Sequence, residues 1–274
     1  MKDIIIDISK SFVTEDEIEK IKEKTLRAQE LLHNKTGQGN NFLGWLDWPE
    51  NYDKDEFDDI KKTSDYIIKN SDVLIVIGIG GSYIGSKAAI EALRGDFYNE
   101  LTEDFPQIYF AGNNISGKYL KRLQRVIKNK DVCLNVISKS GSTTEPAIAF
   151  RILKQFMEEK YNKEEVAKRI IVTTDKEKGA LKKLSEKEGY KTFVVPDNIG
   201  GRYSIFTPVG LLPMAVAGID IDKIMKGLIE AFNEYRNNNF EQNICCKYAA
   251  IRNILYKKNR EIEILVNYEP SLSH

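Results

Sequence analysis

Five short apolar runs, set apart by intervals long enough for a crossover helix, constrain this chain more than any other feature. They are Val73–Ile79, Gln107–Ala111, Val132–Ser138, Arg169–Thr174 and Lys191–Val195, several of them rich in Val and Ile. Helical patterns fill the intervals at about 83–94, 117–128, 144–159 and 178–187. Strands joined by crossovers of that length run parallel, and a parallel sheet must be covered on both faces. The expectation is an α/β fold: a doubly wound five-stranded parallel sheet flanked by helices.

Before the first run, Thr14 and Glu17 have capping-box spacing, and Ile18, Ile21, Ala28 and Leu32 follow with helical periodicity, predicting a helix over 14–33. The aromatic stretch Phe42–Pro49 reads as packing, and residues 53–69 read as helical. After Gly201 the pattern is mainly helical, at about 205–217, 222–236 and 243–258. The alternation in Glu261–Val266 then predicts another strand, the beginning of a second α/β domain. Such a strand calls for further crossovers, so the 274 residues are expected to be part of a longer protein.

Composition narrows the function. Lys plus Arg and Asp plus Glu are both 41, so no basic excess exists to neutralise a nucleic-acid backbone. No apolar run approaches the roughly 20 residues of a membrane helix. The amino terminus lacks the layout of a signal peptide, so a cytoplasmic location is expected. Cys133, Cys245 and Cys246 lack metal-ligand spacing, and Cys133 reads as a buried thiol. The only histidines are His33 and His274, which argues against a His-rich metal site and a Ser-His-Asp triad.

Three segments at predicted strand ends could carry chemistry, because ligands of open parallel sheets bind at the carboxyl ends of strands. The first, Gly78–Ser86, holds Gly80, Gly81 and Ser82, whose small side chains let backbone N–H groups approach an oxyanion or sugar. It has neither dinucleotide-fingerprint nor Walker A spacing, and a tight turn without a ligand is its other reading. The second, Ser138–Pro146, crowds hydroxyls at Ser138, Ser140, Ser142, Thr143 and Thr144 before a helix start, which suits a phosphate monoester. Its other reading, an N-cap threonine, accounts for one hydroxyl of the five. The third, Asp197–Gly210, contains Gly200 and Gly201, read as allowing a backbone path that presents Arg202 inward to stabilise a developing oxyanion. A surface arginine beside a loop is the alternative.

Together the three segments resemble the phosphoglucose isomerase family. The run from Asp197 to Gly210 resembles its signature, the Gly81-Ser82 and Ser138–Glu145 loops resemble two further motifs, and Gly44–Pro49 and Asn267–Pro270 resemble its shorter, bacterial-type members. The resemblance implies cofactor-free interconversion of glucose 6-phosphate and fructose 6-phosphate, a step of glycolysis and gluconeogenesis. It implies that Ser138, Ser140 and Thr143 hold the phosphate with Lys139 nearby, that Gly81 and Ser82 line the sugar, and that Arg202 stabilises a cis-enediolate. It implies a homodimer when full length, and a division into a helical and aromatic extension (1–50), a phosphosugar-binding sugar-isomerase-type domain (51–200) and the mainly helical start of a second domain (201–274). The family's glutamate base, histidine and lysine lie downstream of Asn267–Pro270, so the chain is expected to be inactive by itself. Two other readings are a non-catalytic phosphosugar-binding regulatory module and an isomerase acting on an amino sugar phosphate. The Gly200–Ser204 run argues against both.

Overall fold

The computed structural model describes residues 4–274. The strands are β1 (Val73–Ile77), β2 (Gln107–Ala111), β3 (Val132–Ile137), β4 (Ile170–Thr174) and β5 (Lys191–Val194). The helices, in chain order, are α1 (Glu15–His33), α2 (Gly44–Asn51), α3 (Lys54–Asn70), α4 (Ile84–Arg94), α5 (Tyr98–Leu101) and α6 (Gly117–Ile127). Then follow α7 (Thr144–Lys160), α8 (Lys163–Arg169), α9 (Ala180–Glu188), α10 (Pro208–Val216), α11 (Ile221–Tyr235) and α12 (Ile244–Lys257). The chain divides into two compact units, one from Asn51–Ile224 with Asn267–His274, the other from Met1–Glu50 with Met225–Val266.

The first unit contains one fully parallel sheet with strand order β2-β1-β3-β4-β5. Every residue of β1, β3 and β4 is buried, as expected of central strands covered on both faces, whereas β2 and β5 at the edges are partly exposed. Alternation along the strands sends Ile75, Ile77, Leu134, Val136, Ile170 and Val172 into one core with Leu120, Leu123, Leu153 and Met157 of α6 and α7. Truncating such a side chain to Ala costs about 2–5 kcal/mol. Helix α10 is apolar all round and correspondingly buried; it packs on α3. Asp53, Ser116 and Asn162 cap α3, α6 and α8 through their side chains.

The second unit is helical. Thr14 and Glu17 form the capping box of α1, and Ile21 packs with Phe240, Cys246, Ala250 and Ile254. Asn243 caps α12 by accepting from the N–H groups of Cys245 and Cys246, while its amide donates to the carbonyls of Tyr235 and Asn237. Leu46 and Pro49 of the aromatic stretch are buried.

One element departs from expectation. Glu261–Val266 is not a strand: it pairs with no strand among the described residues, and Ile262, Ile264 and Leu265 are 85%, 78% and 88% exposed. Alternating apolar residues favour a strand only when a neighbouring strand takes up their backbone groups.

Candidate functional site

The strand order fixes where a crevice opens. The connection from β1 leads outward to β2 on one side, and the connection from β3 leads to β4 on the other, so the winding reverses between the adjacent strands β1 and β3. At their carboxyl ends lies a cleft of about 620 Å³ whose lining includes Ser82, Ser138, Lys139, Ser140 and Thr143. The structure thus gathers five of the seven expected site residues. Gly81 and Arg202 are not among the lining residues.

The hydroxyl loop is built to leave donors free. Ser138 Oγ accepts from the Gly141 N–H at 3.1 Å, and Ser140 Oγ accepts from the N–H and hydroxyl of Ser142 at 3.2 and 2.9 Å. A hydroxyl that accepts still carries a proton to donate. Thr143 sits at the N-cap of α7, but its side chain makes no capping bond. The N-cap reading therefore leaves its hydroxyl unexplained, and the first turn of α7 adds the positive end of the helix dipole. An oxyanion with several acceptor lone pairs complements this set of unspent donors.

The loop carbonyls face away, toward the loop that follows β4. Thr174 Oγ1 donates to Ser138 O at 2.8 Å and to Lys139 O at 3.2 Å, Asp175 N–H donates to Lys139 O at 3.4 Å, and Ala180 N–H donates to Ser140 O at 3.3 Å. Gly141 takes φ +69°, and a Cβ on it would lie 2.4 Å from Leu181 N, so only glycine fits there.

That second loop also lines the cleft, through Asp175, Lys178 and Gly179. Sequence reasoning missed all three. The signal available was another polar segment ending in glycine between a strand and a helix. The Asp175 carboxylate accepts from the N–H groups of Glu177 and Lys178, at 2.9 and 3.0 Å, and these bonds hold its carboxyl below the usual range.

Lys139 reaches across to Asp197, 2.7 Å from its carboxylate and 3.3 Å from its carbonyl oxygen. The segment beyond Asp197 differs locally from expectation. Gly200 has an ordinary extended backbone (φ −70°, ψ 153°), Gly201 has no positive φ, and Arg202 is exposed. The glycine that a close approach requires here is Gly81, against the carbonyl of Gly201. A Cβ on Gly81 would lie 2.0 Å from Gly201 O, and the Ser204 hydroxyl donates to that same oxygen at 2.8 Å. The turn Gly80–Ser82 and the turn Gly201–Phe206 are thereby packed together. A Cβ on Gly85 would meet the Ile205 side chain at 3.1 Å, and one on Gly210 would meet Ile205 O at 2.2 Å.

Among the described residues, no helix is long and apolar enough to cross a membrane. Over its whole length the chain is 57% identical to glucose-6-phosphate isomerases of Acetivibrio thermocellus and Fusobacterium nucleatum, and 53% identical to that of Alkaliphilus metalliredigens. It spans 62% of the length of each of these relatives. Among solved structures, a hypothetical protein of Thermus thermophilus matches 88% of the chain, and 54% of its own, with a TM-score of 0.76 at 27% identity. A glucose-6-phosphate isomerase of Chlamydia trachomatis shares the fold, with a TM-score of 0.71 at 20% identity over 90% of the chain and 51% of its own. The model of the family described as phosphoglucose isomerase matches residues 59–273, which include every loop of the cleft. The chain belongs to the phosphoglucose isomerase family.

Proposed function

We propose that these residues form the phosphosugar-binding part of an aldose–ketose isomerase that interconverts glucose 6-phosphate and fructose 6-phosphate. The observation that carries this reading is the set of unspent hydroxyl donors at Ser82, Ser138, Ser140 and Thr143 around one cleft at the winding reversal. Relatives with glucose-6-phosphate isomerase as their name support the choice of sugar.

In the proposed reaction a base removes the C2 proton of the open-chain aldose, and the electron pair forms a C1–C2 double bond as negative charge moves to the carbonyl oxygen. Protonation at C1, with transfer of the O2 proton to O1 and formation of the C2 carbonyl, gives the ketose. Arg202 is assigned to the enediolate oxygen. Its support is the close packing of Gly201 on Gly81, beside Ser82 of the cleft lining, so a sugar extending from the phosphate past Ser82 runs toward that turn.

The base is assigned elsewhere. Asp175 is the one carboxylate lining the cleft among the described residues, and its hydrogen bonds lower its proton affinity. A general base needs a pKa near the working pH. The family pattern puts its glutamate base, histidine and lysine downstream of Asn267–Pro270, so the role proposed for these 274 residues is binding. The whole enzyme is proposed to be a cytoplasmic homodimer.

A ³¹P NMR titration of glucose 6-phosphate with the 274-residue chain tests this. Broadening or a shift without a growing fructose 6-phosphate signal is expected. No perturbation at millimolar protein would overturn the phosphate cleft. A ketose signal scaling with the chain would overturn the assignment of the base. Binding without turnover by a relative-length protein would favour a regulatory phosphosugar module.

A further inference from the structure

Two lysines line the cleft, and they are not equivalent. Lys139, the one singled out by its motif, is paired with the carboxylate of Asp197 at 2.7 Å and also donates to the Asp197 carbonyl. Its charge is already matched before any ligand arrives. Lys178 is exposed and makes no ion pair with a described residue.

Resting on the reading of the cleft as a phosphosugar site, we infer that Lys178, an ammonium held in no salt bridge with a described residue, supplies the positive charge that makes the site prefer a dianionic phosphate monoester. The serine and threonine donors are neutral, and Asp175 brings a negative charge to the same lining. Without Lys178 a dianion would meet net negative surroundings there. With it, Asp175 is offset, and the approaching phosphate meets an ammonium in the same lining that no salt bridge with a described residue holds. An ammonium on a flexible stem suits this task, because it can follow the phosphate as a point charge without demanding a fork geometry.

The position of Lys178 is set by the loop that carries it. The Asp175 carboxylate accepts the Lys178 N–H at 3.0 Å, which makes Asp175 a positioning residue for Lys178. Gly179 follows at φ +105°, where a Cβ would lie 2.8 Å from Ser140 O. Ala180 N–H then donates to that same carbonyl. The backbone on either side of Lys178 is therefore tied to the hydroxyl loop, so the lysine travels with the phosphate cradle.

The test is a titration of glucose 6-phosphate and of inorganic phosphate into the 274-residue chain and into K178M, K178R and the double variant S140A/T143A, at low and high salt. The K178M variant is expected to bind glucose 6-phosphate about tenfold more weakly, the loss expected of one charge-assisted contact, with a shallower salt dependence. K178R is expected to stay within about threefold of the parent, because it keeps the charge. K178M binding like the parent with an unchanged salt slope, while S140A/T143A weakens, would overturn the role of Lys178 and leave the phosphate cleft standing. A parent chain that binds neither anion would overturn both. Lys178 is exposed, so thermal melts of K178M are expected to match the parent.

Discussion

The α-carbon of Gly81 faces the carbonyl oxygen of Gly201 so closely that a methyl group on Gly81 would lie 2.0 Å from it. Main chain cannot give way as a flexible side chain can. The substitution G81A is expected to destabilise the protein by about 1–3 kcal/mol, the range for overpacking, and to weaken glucose 6-phosphate binding by displacing Ser82. Urea melts and ³¹P titrations check the two effects; an unchanged melt would mean the two turns separate freely.

Two threonines at helix starts are expected to behave oppositely. Thr14 accepts from Glu17 N–H within a complete capping box, so T14A is expected to cost about 1 kcal/mol of stability. Thr143 occupies the same position on α7 without a capping bond, so T143A is expected to change stability by less than about 0.5 kcal/mol while weakening phosphosugar binding. Equal stability losses in the two variants would show that the Thr143 hydroxyl is a cap after all.

Glu56 of α3 accepts the Val194 N–H at the edge strand β5, at 2.9 Å. Burial pushes its carboxyl above the usual range, outweighing that hydrogen bond. A raised folded value means the native state holds the proton more tightly than the unfolded chain. The resulting stabilisation is present below about 4.5 and is lost as pH rises through the folded value. Gln keeps an acceptor for Val194 and has no charge to desolvate. E56Q is therefore expected to be at least as stable as the parent at pH 7 and to lack the decline just above pH 4.5. A lower melting temperature for E56Q at pH 7 would contradict this.

Thiol chemistry separates the three cysteines. Cys133 is fully buried in β3, and desolvation pushes its thiol up to about 11. Cys245 is exposed, and Cys246 is buried with its Sγ toward Gln29. At pH 8, a disulfide reagent is expected to label Cys245 quickly and Cys133 only after unfolding. Rapid labelling of Cys133 in the native state would mean that the sheet centre opens readily.

Much of the sheet was legible because its physics is local. Val73–Ile77 and Val132–Ile137 are apolar on both faces, and that pattern belongs to strands with helices above and below. The hydroxyls of Ser138–Thr144 were equally legible, since few loops need so many. The strand order is a long-range property that no single segment encodes. Asp175 and Lys178 escaped notice because a charged loop residue looks the same whether it faces a ligand or water. The strand expected at Glu261–Val266 shows the converse limit: its alternation is real, but a strand exists only with a neighbour. At Gly201 the glycine was read as freedom of the backbone, whereas its φ is not positive and the missing side chain that the structure uses is that of Gly81, which admits the Gly201 carbonyl.

The reversal of winding between β1 and β3 separates two kinds of inheritance. The location of the cleft follows from connectivity, so it survives any exchange of loop residues that leaves the five strands in order. Its chemical taste resides in three short loops, after β1, β3 and β4, which can be rewritten one at a time. A descendant that lost every hydroxyl of Ser138–Thr144 would still own a socket there, ready for a different guest.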